Sequence, residues 1–190
     1  MRTIICIRHG QTAGNLARRY IGGGTDECLC AEGIAAIKVL ADFGMYPMTE
    51  SIVISPMRRC AETAALLYPA HTPVVRDGFR EMHFGAFEGL TFDEIIRLPG
   101  QSEFGMDEAH MIFPEGESEA VFSARCITAF EALLREETAH TMTLVVHGGV
   151  IMAIMRHLFG GSLYDYQIKN GRGFLLTEHD GLWQYQKLEG

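Results

Sequence analysis

The sequence predicts an α/β protein: a mainly parallel β-sheet with helices on both faces. Three observations carry this. Short apolar runs rich in β-branched residues alternate with helix-period segments along most of the 190 residues. The runs are continuously apolar instead of alternating, as in strands buried on both sides. A chain that is 47% hydrophobic and 21% charged also has the composition of a globular protein with a substantial core.

The strands expected are Thr3–Ile7, Ser51–Ile54, Pro73–Val75 and Thr143–Val146. Helices are expected at Ala31–Phe43, Met57–Leu67, Ser118–Arg135 and Val150–Phe159. In the third helix, Val121, Ala124, Ile127, Phe130, Leu133 and Leu134 recur at three- and four-residue steps and form one apolar face. Gly173–Glu178 and Leu182–Lys187, split by His179-Asp180-Gly181, read as a hairpin with an Asp-Gly turn. Residues 98–116 hold two prolines and three glycines, with a short helical stretch around Glu108–Ile112; they are read as a lid over the sheet within one domain spanning 1–190.

The formal charge of −8 disfavours nucleic acid and anionic membrane as partners. No run approaches the roughly 18 apolar residues of a membrane span, and the apolar start at Ile4–Ile7 is too short for a secretory signal. The five cysteines are odd in number and lack a framework spacing, which points to reduced thiols and a cytoplasmic protein.

Chemistry gathers where strands end. Thr3–Ile7 runs into Arg8-His9-Gly10-Gln11-Thr12, Ser51–Ile54 into Ser55-Pro56-Met57-Arg58-Arg59, and Thr143–Val146 into His147-Gly148-Gly149. Ligands of open parallel sheets bind outside the carboxyl ends of the strands, so these segments are expected to meet. Each alone has a plain structural explanation: a satisfied histidine, a solvated arginine, a tight glycine turn. Packing, however, has no use for several cations at one sheet edge without an anion. Ser55 suits a helix N-cap and Pro56 the first helical position, which would set Arg58 in the first turn beside free backbone N–H groups, a phosphate site. A two-histidine metal site is the weaker alternative, because arginine neighbours repel a cation.

Arg8-His9-Gly10-Gln11-Thr12 with Asn15 resembles the signature of the histidine phosphatase superfamily, the phosphoglycerate mutase-like proteins. Four further segments resemble that family's blocks in order. They are Ser55–Ala64, Arg80–Gly89, Pro114-Glu115-Gly116-Glu117-Ser118 and Val145–Gly149. The resemblance implies a three-layer α/β/α sandwich of phosphoglycerate mutase-like fold, no metal and no cofactor. It implies His9 as the phosphoryl-accepting nucleophile and Glu81 as proton donor. Arg8, Arg58 and His147 would hold the phosphoryl oxygens, with Asn15 and the Gly148 backbone assisting. These roles are physically coherent: guanidinium groups favour the neutral imidazole a nucleophile needs, and a bound dianion keeps a neighbouring carboxyl protonated. His83, two residues beyond Glu81, is read as a structural or rim residue.

Residues 20–30 depart from the family loop by an extra glycine in Gly22-Gly23-Gly24 and by Cys28 and Cys30, and the glycine is expected to loosen the loop. The 66 residues from Glu81 to His147 lack the long insertion of the mutases, which favours the phosphatase branch. Phe84-Gly85-Ala86-Phe87-Glu88-Gly89-Leu90 and the Tyr20–Asp26 loop look most like α-ribazole phosphatases of cobalamin assembly, which makes α-ribazole 5′-phosphate the leading substrate. A sugar-phosphate phosphatase or phosphoglycerate mutase is the alternative, and an idle phosphate-binding scaffold the alternative of another class. Asp93, Glu94, Glu103, Asp107, Glu108, Glu115, Glu117, Glu119 and Glu131 predict an acidic rim that disfavours substrates bearing both phosphate and carboxylate, while Phe84, Phe87, Phe104, Met106 or Phe113 offer an apolar wall. The expected partner is a small-molecule phosphate ester, with neither nucleic acid nor membrane; a homodimer stays open.

Overall fold

The computed structural model describes residues 1–106 and 111–188. Six strands, β1 (Arg2–Arg8), β2 (Ser51–Ile54), β3 (Val74–Val75), β4 (Thr141–Val146), β5 (Gly173–His179) and β6 (Leu182–Leu188), form one sheet in the order β3-β2-β4-β1-β5-β6. The first four are parallel, and β5 and β6 add an antiparallel edge. The expected mainly parallel sheet is the one observed. The hairpin turns on two residues, Asp180 (φ 51°) and Gly181 (φ 81°), the left-handed pair that a tight right-twisted hairpin demands.

β1 shows why the sheet is layered. Ile4, Ile5, Cys6 and Ile7 are all fully buried, and successive residues point to opposite faces. Ile4 and Cys6 join a core with Phe122, Cys126 and Phe130 of α5 (Glu119–Glu136) and Val150, Ile151 and Ile154 of α6 (Gly148–Phe159). Ile5 and Ile7 join a smaller core with Cys60 and Ala64 of α3 (Arg58–Leu67). α2 (Ala31–Asp42) packs beside α3. Three layers result, helix–sheet–helix, and cutting any β1 isoleucine to alanine should cost about 2–5 kcal/mol.

Two one-turn helices, α1 (Ala13–Leu16) and α4 (Phe92–Ile95), are each opened by a threonine capping box, Thr12 with Asn15 and Thr91 with Glu94. The described part of residues 98–116 turns back onto the protein. Phe104 and Phe113 are buried in an aromatic cluster with Tyr20, Phe84 and Phe87. The helical stretch expected near Glu108–Ile112 falls largely outside the described residues, and Met111 and Ile112 are not helical.

Candidate active site

Strand register assembles the site. Arg8 pairs with Val146 and Ile54 with Val145, and the His9 N–H donates to the Val146 carbonyl (2.9 Å). His9 and His147 therefore leave adjacent strand ends side by side, their rings 5.1 Å apart and 66° to one another. His147 is fully buried and His9 is 3% exposed.

Hydrogen bonds fix both imidazoles. His9 Nδ1 lies 2.7 Å from the Gly10 carbonyl, which only accepts, so Nδ1 carries the proton and Nε2 keeps its lone pair. Arg59 Nε donates to His147 Nδ1 (3.3 Å), so the His147 proton sits on Nε2 and is donated to Ser55 Oγ (2.7 Å). Burial first, then the Arg59 and Arg8 charges, holds His9 well below the usual histidine range. Burial and Arg59 do the same to His147.

The two adjacent arginines divide sharply. Arg59 is fully buried and donates to the carbonyls of Thr25 (2.9 Å) and Gly22 (3.1 Å) as well as to His147. Arg58, expected to hold phosphate, is instead an exposed residue paired with Glu62 one helical turn on (3.3 Å). The reason is where α3 begins. Met57, not Ser55, is its N-cap, and Asp26 accepts from the Arg58 N–H (2.7 Å), so a carboxylate already occupies the helix end expected to hold phosphate. Helical spacing could have told the two apart. Arg58 shares a face with Glu62, a solvated ion pair, whereas Arg59 shares one with Thr63, whose hydroxyl accepts from the Gly10 N–H (2.9 Å).

The remaining expected residues converge. Arg8 donates to the Ile168 carbonyl (2.7 Å), and its buried Nε has no partner among the described residues. It is a donor beside Gly148, suited to an oxyanion, because an orphaned buried donor costs about 1–3 kcal/mol. Glu81 is 9% exposed and accepts from the N–H groups of Met82 (3.0 Å) and Gly149 (3.2 Å). Burial nevertheless pushes its carboxyl above the ordinary range. A side chain at Gly149 would strike Glu81 Oε1, so any larger residue there would displace the carboxyl. Asn15 Oδ1 accepts from Thr12 N–H (3.3 Å) and Asn170 Nδ2 (3.1 Å), which leaves its NH₂ as the group able to donate. Asn170, absent from the sequence reading, also donates to the His9 carbonyl (3.0 Å). His83 is exposed and accepts from the Gly85 N–H (3.1 Å), a rim position.

The glycine run is the opposite of loose. Glu88 accepts from Gly22 N–H, Gly24 N–H, Thr25 Oγ1 and Phe84 N–H at 2.8–3.0 Å. A side chain at Gly22 or Gly23 would collide with the carbonyl of Met82 or Glu81. The glycines permit close backbone approach, and the loop they form presents the carbonyls that hold Arg59. Cys30 caps α2 through Sγ, which accepts from the Gly33 N–H (3.3 Å).

Above this floor opens a cavity of about 1180 Å³ whose lining includes Arg8, Gly10, Asn15, Glu81 and Gly148. Phe84, Phe113, Phe122 and Met152 give one apolar wall, while Phe87 and Phe104 lie behind it and Met106 is exposed. The rim is less acidic than expected. Of the described carboxylates between residues 93 and 119 only Glu119 lines the cavity, and it is paired with Arg156. Glu94 is tied to Arg19 and Glu117 to Arg125. The side chains of Arg18 and Lys169, also in the lining, make no hydrogen bond or ion pair with another described residue. Among the described residues no three His, Cys, Asp or Glu side chains are grouped to hold a metal, and no helix is long and apolar enough to cross a membrane.

Residues 4–189 match the family model of the histidine phosphatase superfamily (branch 1). The chain is 30% identical over 187 residues to a glucosyl-3-phosphoglycerate phosphatase of Mycolicibacterium vanbaalenii, covering 91% of this chain and 81% of that protein. Its fold is similar to the crystal structure of a putative α-ribazole-5′-P phosphatase from Escherichia coli K-12 (TM-score 0.88, 21% identity, 100% of this chain and 96% of that one). It is also similar to a mycobacterial glucosyl-3-phosphoglycerate phosphatase solved with VO3 (TM-score 0.82, 26% identity, 98% of each chain).

Proposed function

The chain belongs to branch 1 of the histidine phosphatase superfamily, and from that premise we propose that it is a metal-independent phosphomonoester hydrolase working through phosphorylated His9. One observation carries this: an imidazole with a free Nε2 lone pair beside the buried Arg59 and half-buried Arg8 guanidinium groups, with a pKa-raised carboxyl lining the cavity above them.

His9 Nε2 attacks phosphorus, forming the N–P bond as the ester P–O bond breaks. Glu81 delivers its proton to the departing alkoxide. Arg8, Arg59, His147 and the N-terminus of α6 face the charge spread over the three equatorial oxygens. Water then attacks the phosphohistidine, the N–P bond breaks, and Glu81 takes up the water's proton. Inorganic phosphate and free His9 result. A bound dianion reverses the local field and favours protonation of both His147 and Glu81.

Two substrates are the candidates that the lining and the relatives support. α-Ribazole 5′-phosphate needs one phosphate pocket and an apolar wall for its base, supplied by Phe84, Phe113 and Met152. Glucosyl-3-phosphoglycerate is the second, favoured by Arg18 and Lys169, two cations at the mouth suited to a carboxylate, and by the 30% identical relative. The test compares kcat/KM for both esters, for a simple sugar phosphate and for 3-phosphoglycerate after exhaustive chelation. Hydrolysis of one bulky ester well above the rest is expected. Interconversion of phosphoglycerates faster than phosphate release from any ester would overturn the hydrolase assignment, and activity restored only by added Mg²⁺ or Zn²⁺ would overturn metal independence.

A further inference from the structure

Glu81 lies on a short connecting segment, residues 78–83, between a 3-10 turn and an exposed histidine. An acid must be held within tenths of an ångström of its leaving group, and a loop does not do that unaided. The restraint comes from α5. Arg125 NH1 donates to two carbonyls of the segment, Gly78 (3.0 Å) and Arg80 (2.9 Å). Its Nε and NH2 form a fork with both oxygens of Glu117 (3.0 and 2.7 Å). Glu117 Oε2 in turn accepts from the His83 N–H (2.9 Å), and the Glu117 N–H donates to the His83 carbonyl (2.9 Å). One ion pair thus grips the chain immediately before Glu81 and two residues after it. Gly78 seats against Ala129 of the same helix so closely that a side chain there would clash. Neither Arg125 nor Glu117 lines the cavity.

We propose that Arg125, through its pairing with Glu117, is a positioning residue for Glu81: it sets where the proton is delivered without touching substrate. This rests on the assignment of Glu81 as the acid, so the test carries a control for that assignment. Misplacing an acid harms esters with poor leaving groups, which need the proton, far more than esters whose leaving group departs unassisted.

The experiment measures kcat/KM on phenyl phosphate and p-nitrophenyl phosphate for wild type, Glu81→Gln, Arg125→Met and Arg125→Lys, with thermal melts of each. Glu81→Gln is expected to lose at least about 100-fold on phenyl phosphate and much less on p-nitrophenyl phosphate. Arg125→Met should show the same bias at about 10- to 100-fold against less than about threefold, and Arg125→Lys an intermediate split. If Glu81→Gln shows no bias between the esters, the acid assignment fails. If Glu81→Gln is biased while Arg125→Met loses equally on both esters, or on neither, the positioning role is overturned. Should Arg125→Met not fold, Glu117→Gln replaces it. That variant keeps the two carbonyl bonds and weakens the hold on His83, and a loss without bias there overturns the proposal equally.

Discussion

The floor and the mouth of the cavity are built on opposite plans. On the floor Arg59 and His147 are wholly buried, both nitrogens of the His147 imidazole have partners, and His9 is fixed through Nδ1, which leaves Nε2 for the chemistry. At the mouth Arg18, Tyr164 and Lys169 are exposed, and no charged partner among the described residues fixes either cation. Phosphoryl-transfer charge is the same for every ester and rewards dipoles fixed in advance. The remainder of the molecule differs between esters and is met by side chains free to adjust. The difference separates what the protein does from what it does it to.

The sharpest way to break that division is at the floor. His9→Ala should lose at least about 10³-fold in kcat with its melting temperature little changed, and rapid quench with labelled ester should no longer trap an acid-labile phosphoprotein. More than a few per cent residual kcat would mean another nucleophile. The arginine pair comes next. Arg59→Met should cost about 10²–10³-fold in kcat, as loss of an oxyanion donor does, while Arg58→Met should stay within about threefold. The reverse ranking would return phosphate binding to the α3 terminus.

A smaller effect separates floor from mouth by pH. His9 and His147 resist protonation in the folded protein, first through burial and then through Arg59, whereas in the unfolded chain they protonate near pH 6.5. Below that pH the unfolded state binds more protons, so stability falls as pH drops, by about 1.4 kcal/mol per pH unit for each histidine. Urea unfolding at pH 7.5 and 5.5 measures this, and His147→Gln should remove about half of the slope. No change in slope would mean that His147 titrates normally. Smallest is the mouth itself: Phe84→Ala should raise KM by about tenfold or less with kcat nearly kept. A fall in kcat of similar size would give that wall a share in the chemistry.

The fold was legible because its signals are local and redundant. β2 matches its expected bounds, and α2, α3, α5 and α6 begin and end within two residues of theirs. His9 and His147 meet because their strand ends share a sheet edge, whereas Glu81, on a connecting segment beyond a 3-10 turn, was legible only through the family resemblance. What the linear sequence hid was pairing. Arg58 and Arg59 differ by one position, and it is their helix-face partners, Glu62 for Arg58 and Thr63 for Arg59, that tell which faces inward. Gly22 to Gly24 looked permissive because a sequence does not show the backbone passing within reach of Met82. The carboxylates of residues 93–119 looked like an acidic rim until Arg19, Arg125 and Arg156 were seen to neutralise three of them.

Strand order also sets a timetable. β4, residues 141–146, lies between β2 and β1, although some 86 residues separate it from the nearer of the two. A nascent chain leaving the ribosome N-terminus first presents β1, β2 and their arginines long before the strand that joins them exists. Until β4 is inserted, His9 lacks the Val146 carbonyl that holds its backbone, and Arg59 lacks His147. Those buried cations meanwhile remain in water, with no cost of burial to bear. Catalytic competence is therefore among the last properties the growing chain acquires, because it waits on a central strand that closes a long loop and on the Ile168 and Asn170 contacts that follow it.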